Sequence, residues 1–327
     1  MQHSNQGVIA HRFGPPPEVL QVESLAPAEL ERGAAAVRMI ASPINPSDLI
    51  PVSGAYPSRT TLPFIPGFEG VGTVETVHSD NDPALLGQRV LPIGAAGGWQ
   101  SVKPCSLVWC IPVPDDISDT DAATAYINPL TAIRMIDLHA SSPGIHTAVV
   151  NAAGSAIART LGHLLTQRGI RTIGLMRHPR NEEAGSCWAH VIDTSIGSWR
   201  EELHAFTGTG SLDLAFDCVG GGEGIDLAQS LSRGGTFVHY GLLSGQPLSP
   251  KLRQDRPDLN IHYFRLREWV HSAKRAQLVS AFTQVFNLVR EGVIRTRIQE
   301  ELPLGDIAEG LALSLSQGSQ GKVLLRP

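Results

Sequence analysis

Four short stretches of this chain carry residue types that could do chemistry. "SPINPSDL" sets Asn45 three residues before Asp48, and "GAYP" follows it with Tyr56 between Gly54-Ala55 and Pro57. "NAAGSAIA" offers Gly154, Ser155, Ala156 and Ile157 at the junction of an apolar run and an amphipathic one, and "MRHPR" brings Arg177, His178 and Arg180 together. A phenol has a reference pKa of about 10, so it stays protonated at neutral pH and can donate a hydrogen bond or a proton. Pro57 fixes its own φ and restricts the residue before it, so the backbone of Tyr56 is pre-set. A lone tyrosine on such a turn is ordinarily a half-buried loop aromatic, and the rest of the chain has to decide whether this one is more.

The elements that must hold these residues fall into two textures. Up to about residue 120 the chain reads as short strands punctuated by Pro and Gly: "GVIAHRF", "EVLQVESL", "AAVRMIASPI", "GVGTVETV", "LGQRVLPIG" and "SLVWCIPVP". "SDTDAATAYINPLTAIRMIDLHA" (118–140) then predicts one helix, with Asp119 and Asp121 near its start. From residue 146 buried runs ("HTAVVNA", "RTIGLMR", "HVIDTS", "LDLAFDCVGG", "TFVHYGLL") alternate with amphipathic segments, the sign of βαβ units and a doubly wound parallel sheet. A long helix, "AQLVSAFTQVFNLVREG", and a last strand, "GKVLLRP", complete the pattern. The expected architecture is α/β: a β-rich domain over 1–121 and 266–327, with a Rossmann nucleotide-binding domain over 122–265 inserted between its parts.

Bulk properties narrow the partners. The 327 residues are 42% hydrophobic and 17% charged, enough apolar material for two packed cores and too little charge for disorder. A net charge of -5 without a long basic run argues against nucleic acid and anionic membranes. Six residues, none of them Arg or Lys, precede the first strand, so a cytosolic protein without a presequence is expected. Cys105, Cys110, Cys187 and Cys218 fit no zinc-ligand spacing and read as small core residues.

In a dinucleotide fold the pyrophosphate sits on the N-terminus of the first helix. The usual G-x-G-x-x-G is replaced here by Ala153, Ser155 and Ala158, so only the context survives: apolar strand, tight turn, helix. A Rossmann-like domain that binds nothing is the alternative. An NAD site wants an acid at the end of the second strand to hold the ribose 2′-hydroxyl. "MRHPR" has none, and its guanidinium groups suit a 2′-phosphate, which points to NADPH; a solvated basic turn is the alternative.

Taken together, the segments "PINPSDL", "GAYP", "PGFEGVGTV", "GGWQ", "AATAYINPLTAIRMI" and "NAAGS" resemble, in order and spacing, the zinc-free 2-enoyl thioester reductases of the medium-chain dehydrogenase/reductase superfamily. The resemblance implies a GroES-like catalytic domain and a homodimer formed through the last Rossmann strands, "TFVHYGLL" and "NIHYFRL". It implies Tyr56 as the acid or enolate stabiliser in the reduction of an activated C=C bond, a role that hydride delivery to the β-carbon requires of some donor. It places Asn45, Asn128 and Thr131 beside the nicotinamide, adds Gly241 and Lys322 to the cofactor set, and offers Trp99, Phe264 and Arg265 for the acyl pocket, with core packing the default reading of Trp99. Asn45 and Phe68 stand where the zinc-dependent relatives have ligands, so no metal is expected. Arg265 replaces the family's pocket tryptophan; it suits a more polar acyl group or a CoA phosphate, or is a solvated surface residue. Two other activities stay open: quinone reduction, for which Tyr56 would be dispensable, and NADPH binding without catalysis.

Overall fold

The computed structural model describes residues 5–27, 29–55, 57–78, 83–179, 187–208, 210–316 and 321–327. Tyr56 and Arg180 lie outside the described residues. The chain divides into two compact units, Met1–Ile127 with Arg267–Pro327, and Asn128–Leu266.

The first unit opens with an antiparallel pair, β1 (Gln6–Ala10) and β2 (Leu20–Ser24). Its main sheet is built on β3 (Ala34–Pro43), whose residues alternate between buried and half-buried as a strand covered on one face should. β4 (Val71–Val77) and β6 (Val102–Ser106) pair with it antiparallel, and β5 (Arg89–Pro92) joins β4 to β7 (Cys110–Pro112). Val37, Met39, Val74 and Val90 pack one core of this unit; each such side chain, fully buried, contributes about 1.5–3 kcal/mol. A second core gathers Val8, Ile44, Leu49, Trp99 and Leu311.

The second unit is a six-stranded parallel sheet. Its strands are β8 (Thr147–Val150), β9 (Arg171–Met176), β10 (His190–Asp193), β11 (Leu214–Asp217), β12 (Thr236–His239) and β13 (Asn260–Tyr263), in the order β10-β9-β8-β11-β12-β13. β8 and β11 are buried throughout, which is why they read as unbroken apolar runs. The order reverses between β8 and β11, so the crevice beyond their carboxyl ends is the topological switch point. The helix Ala156–Gln167 turns Ala158, Leu161, Leu164 and Leu165 inward and stops at Gly169, whose φ of +73° suits a residue without a Cβ. Of the two strands expected at an intersubunit edge, β12 is interior, paired on both sides, and β13 alone is the edge. The chain then returns to the first unit through the helix Arg275–Arg290, β14 (Ile298–Pro303) and β15 (Lys322–Arg326); β15 pairs antiparallel with the end of β3.

The single helix expected over 118–140 is two, Asp119–Ala123 and Ile127–His139. The break has a cause at a distance. The Glu69 carboxylate accepts hydrogen bonds from the backbone N–H groups of Tyr126 (3.2 Å) and Ile127 (2.7 Å), which starts the second helix anew.

Candidate active site

In the first unit, a buried polar cluster is assembled by three segments far apart in sequence. Asn45 ends the connection from β3, Asp48 lies in the first turn of the helix Pro46–Val52, Glu69 precedes β4, and Lys322 opens β15. One oxygen of Asp48 accepts from Asn45 N–H at 2.8 Å and the other from Phe68 N–H at 2.9 Å. Thus the i, i+3 spacing of "NPSD" is a helix-start device, a side chain three residues in reaching back to the helix's first backbone N–H. Asn45 is 2% exposed. Its amide nitrogen donates to Glu69 Oε1 at 2.8 Å, and its carbonyl oxygen accepts from the Lys322 ammonium.

Two carboxylates and one ammonium therefore share an interior site. Burial pushes Asp48 up to about 7 against its backbone donors, and pushes Glu69 up as well, against the pull of Lys322. Burial lowers Lys322, and the charges of Glu69 and Asp48 oppose that shift. A buried charge survives only when paired and hydrogen-bonded, and each member here is held by the others.

In the second unit, the carboxyl ends of β8, β11 and β12 are strapped together. Asn151 donates to Asp217 at 2.6 Å across the switch point, and His239 Nδ1 lies 2.6 Å from the other Asp217 oxygen. The N–H groups of Val219 and Gly220 also donate to Asp217. Ala152 takes a left-handed φ of +47°, and Ser155 caps the helix Ala156–Gln167 by accepting from Ala158 N–H. The N–H groups of Ala156 and Ile157 in the first turn have no partner within the helix, as in any helix start. The donor set fits a pyrophosphate: a helix twelve residues long, a hydroxyl, and Gly154 without a side chain in the way. At the end of β9, Arg177 and His178 are exposed; the His178 N–H is held by Asp193 at 3.1 Å, with φ at +49°.

Comparison with known proteins decides the family. The model of the alcohol dehydrogenase GroES-like domain matches residues 31–115, and that of the zinc-binding dehydrogenases matches 188–325. The mitochondrial enoyl-[acyl-carrier-protein] reductase of Homo sapiens is 30% identical over 329 residues, covering 98% of this chain and 88% of that protein. The chain belongs to the medium-chain dehydrogenase/reductase superfamily. It is an oxidoreductase of the enoyl reductase and quinone reductase-like group. Two solved structures align along its length: a putative NADPH:quinone reductase from Bacillus thuringiensis (TM-score 0.92, 34% identity, all of both chains) and the Escherichia coli quinone oxidoreductase complexed with NADPH (TM-score 0.86, 25% identity, 98% of this chain and all of that one).

Zinc, which one family description names, does not fit the first-unit cluster. Zinc is held by sulfur, imidazole and carboxylate in tetrahedral sets. Here an ammonium already offsets the two carboxylates and occupies the Asn45 oxygen, and a dication would meet a like charge. Among the described residues no group of three or more His, Cys, Asp or Glu side chains could hold a metal ion.

The structure redistributes several expected site residues. Asn45 and Lys322 are brought together, and they engage each other rather than standing open. Asn128 and Thr131 lie in the first two turns of the helix Ile127–His139. Gly241 follows β12 so closely against Cys218 that a Cβ there would lie 2.9 Å from the Cys218 carbonyl oxygen. Phe264 is half-buried and donates its N–H to His239, while Arg265 is exposed. Trp99 takes the place that a tryptophan has by default: it is 0% exposed, donates its ring N–H to the Pro43 carbonyl, and packs in a core. Sequence reasoning missed Asp48, Glu69, Asp217 and His239 as polar anchors. The 45/48 spacing was the available signal for Asp48, whereas Glu69 and the Asp217–His239 pair are revealed only by tertiary contact.

Proposed function

We propose that this protein is a zinc-independent, NADPH-dependent reductase of activated C=C bonds, with a 2-enoyl thioester as substrate. The observation that carries this reading is the match along nearly the whole chain to a mitochondrial enoyl-[acyl-carrier-protein] reductase. The helix start at Ser155, Ala156 and Ile157 supports binding of the cofactor's pyrophosphate, and Arg177, next to His178 and with Arg180 nearby in sequence, supports a 2′-phosphate. Held at that helix start, the cofactor would supply the hydride that adds to the β-carbon. Tyr56 then donates its hydroxyl hydrogen to the enolate oxygen, or its proton to the α-carbon. Glu69, Lys322 and Asp48 hold Asn45 in one orientation, so that what remains of its hydrogen-bonding capacity is aimed before substrate arrives. A homodimer through the β13 edge and a cytosolic location belong to the same reading; the relative's printed name places that protein in mitochondria.

Quinone reduction is the second reading, favoured by the 34% identical Bacillus thuringiensis structure. NADPH oxidation measured with crotonyl-CoA, longer enoyl-CoAs and simple quinones separates the two. Turnover of an enoyl thioester well above that of any quinone is expected. Turnover of quinones alone moves the assignment to the second reading, and NADPH binding with no acceptor reduced leaves a binding protein.

A further inference from the structure

At the end of β9 an exposed imidazole is held in one tautomer by its neighbours. Arg177 and His178 follow Met176, the last residue of β9, into solvent. Asp193 ends β10, the parallel strand beside it. One carboxylate oxygen of Asp193 accepts from three donors: His178 N–H at 3.1 Å, Ser195 N–H at 2.9 Å and the Ser195 hydroxyl at 2.6 Å. The Ser195 hydroxyl, helped by the two N–H groups, holds Asp193 below the usual carboxylate range, so at neutral pH it only accepts. Its bond to His178 N–H also holds that residue at its left-handed φ of +49°, uncommon for a side chain with a Cβ. A serine hydroxyl has one hydrogen. Ser195 gives it to Asp193, so it offers only lone pairs to His178 Nδ1, 3.3 Å away. Nδ1 is therefore the nitrogen that carries hydrogen. Nε2, with no hydrogen-bond partner among the described residues, is a bare acceptor while the ring is neutral and a donor once it is protonated.

We propose that His178 is a proton-linked determinant of cofactor choice, and that Ser195 and Asp193 are the positioning residues that aim it. On the NADPH reading above, on which this role rests, β9 is the strand whose end meets the 2′ position of the adenine ribose. A neutral ring presents the Nε2 lone pair, which accepts from a 2′-hydroxyl and repels a 2′-phosphate. A protonated ring presents an N–H and a positive charge, which suit the phosphate. Binding of NADPH therefore draws a proton from solvent onto His178, and binding of NADH does not. Few other charges surround the ring. Asp193 faces it from β10 and favours the protonated form, and Arg177 precedes it on its own segment. Glu223, in the first turn of the helix Gly221–Ser230, is close enough to Arg177 to be lowered by its charge. Arg180, two positions on in sequence, lies outside the described residues.

The test titrates the full-length protein with NADPH and with NADH by fluorescence between about pH 6 and pH 8, across the imidazole range. Calorimetry in buffers of different ionisation enthalpy counts the protons taken up. From the top of that range to the bottom, the preference for NADPH over NADH should rise roughly tenfold, the worth of one charge-assisted hydrogen bond, with proton uptake on NADPH binding alone. His178→Gln should flatten the rise and abolish the uptake. The 2′-phosphate itself titrates near pH 6. It is the same for both chains, so the difference between wild type and His178→Gln isolates the imidazole. Ser195→Ala frees the ring to change tautomer and should cut the rise to roughly threefold, and Ser195→Thr, which keeps a hydroxyl, should restore it. A serine that only braced the turn would change both affinities alike at every pH. A preference for NADPH that is the same at every pH, or a His178→Gln chain with the wild-type rise, overturns the proposal and leaves the cofactor reading standing. No preference for NADPH at any pH overturns both.

Discussion

At the scale of single residues, the proposed chemistry rests on a hydroxyl and a guanidinium. Tyr56→Phe keeps the ring and removes only the donor. Loss of one oxyanion-type donor costs about 10²–10³ in turnover, so enoyl thioester reduction should fall by that factor while NADPH affinity stays near wild type. A Phe variant with wild-type turnover would place Tyr56 among ordinary loop aromatics and favour quinones. Arg177 stands exposed at the end of β9, where an acid would hold a 2′-hydroxyl. Removing a charge-assisted contact to a 2′-phosphate costs about 1.5–3 kcal/mol, roughly ten- to a hundredfold in affinity. Titration of Arg177→Ala should therefore show NADPH weakened by that factor and NADH unchanged; equal weakening of both would leave Arg177 a solvated surface charge.

At the scale of elements, the interior charges tie strand ends to helix starts, and this part was the least legible in the sequence. Strands and helices announced themselves through periodicity: β8 and β11 as unbroken apolar runs, the helix Ala156–Gln167 through its inward Leu161, Leu164 and Leu165. Nothing local in "AATAYIN" announces that the helix stops and restarts, because the capping carboxylate belongs to Glu69, more than fifty residues earlier. Trp99, by contrast, sits where a large aromatic goes by default: the indole fills a core, and Gly98 lets the Ser42 hydroxyl approach. Removing charge from the cluster should show its cost. Glu69→Gln leaves Lys322 facing Asn45 and weakens the cap on the helix Ile127–His139; breaking a buried pair costs about 3–5 kcal/mol, measurable as a lower denaturant midpoint.

The same cluster makes stability depend on pH. Burial raises Asp48 from 3.8 to about 7 in the folded chain. Between those values the native state holds a proton that the unfolded state has released, so the Asp48 contribution weakens stability as pH rises through the window and levels off above it. Exposed Asp116 and half-buried Asp258, lowered by Arg290 and Arg256, act in the opposite direction at lower pH. The quantity to measure is therefore the difference between wild type and Asp48→Asn. Relative to the variant, the wild type should lose stability between about pH 4 and pH 7. A difference independent of pH would mean that Asp48 titrates alike in both states.

At the scale of the whole molecule, the parallel sheet ends on one side in β13, a strand with a single partner. Unpaired backbone at a sheet edge invites another strand, and natural proteins cover, shorten or charge such edges. Here Asn260, His262 and Tyr263 are exposed along it, and Tyr263 is 51% exposed. Leu242 and Leu243, in the segment after β12, add exposed apolar surface. Exposed apolar groups beside an open edge fit pairing with a second copy about a twofold axis, in which each edge completes the other. Sedimentation velocity should give a dimer for the wild type. Tyr263→Glu places like charges in each chain's edge and should shift the equilibrium toward monomer, while Arg256 and Asp258, which brace the turn before β13, keep the strand itself in place. A wild type that sediments as a monomer at micromolar concentration, or a Tyr263→Glu chain as dimeric as the wild type, would show that β13 is an edge protected by its own shortness rather than by a partner.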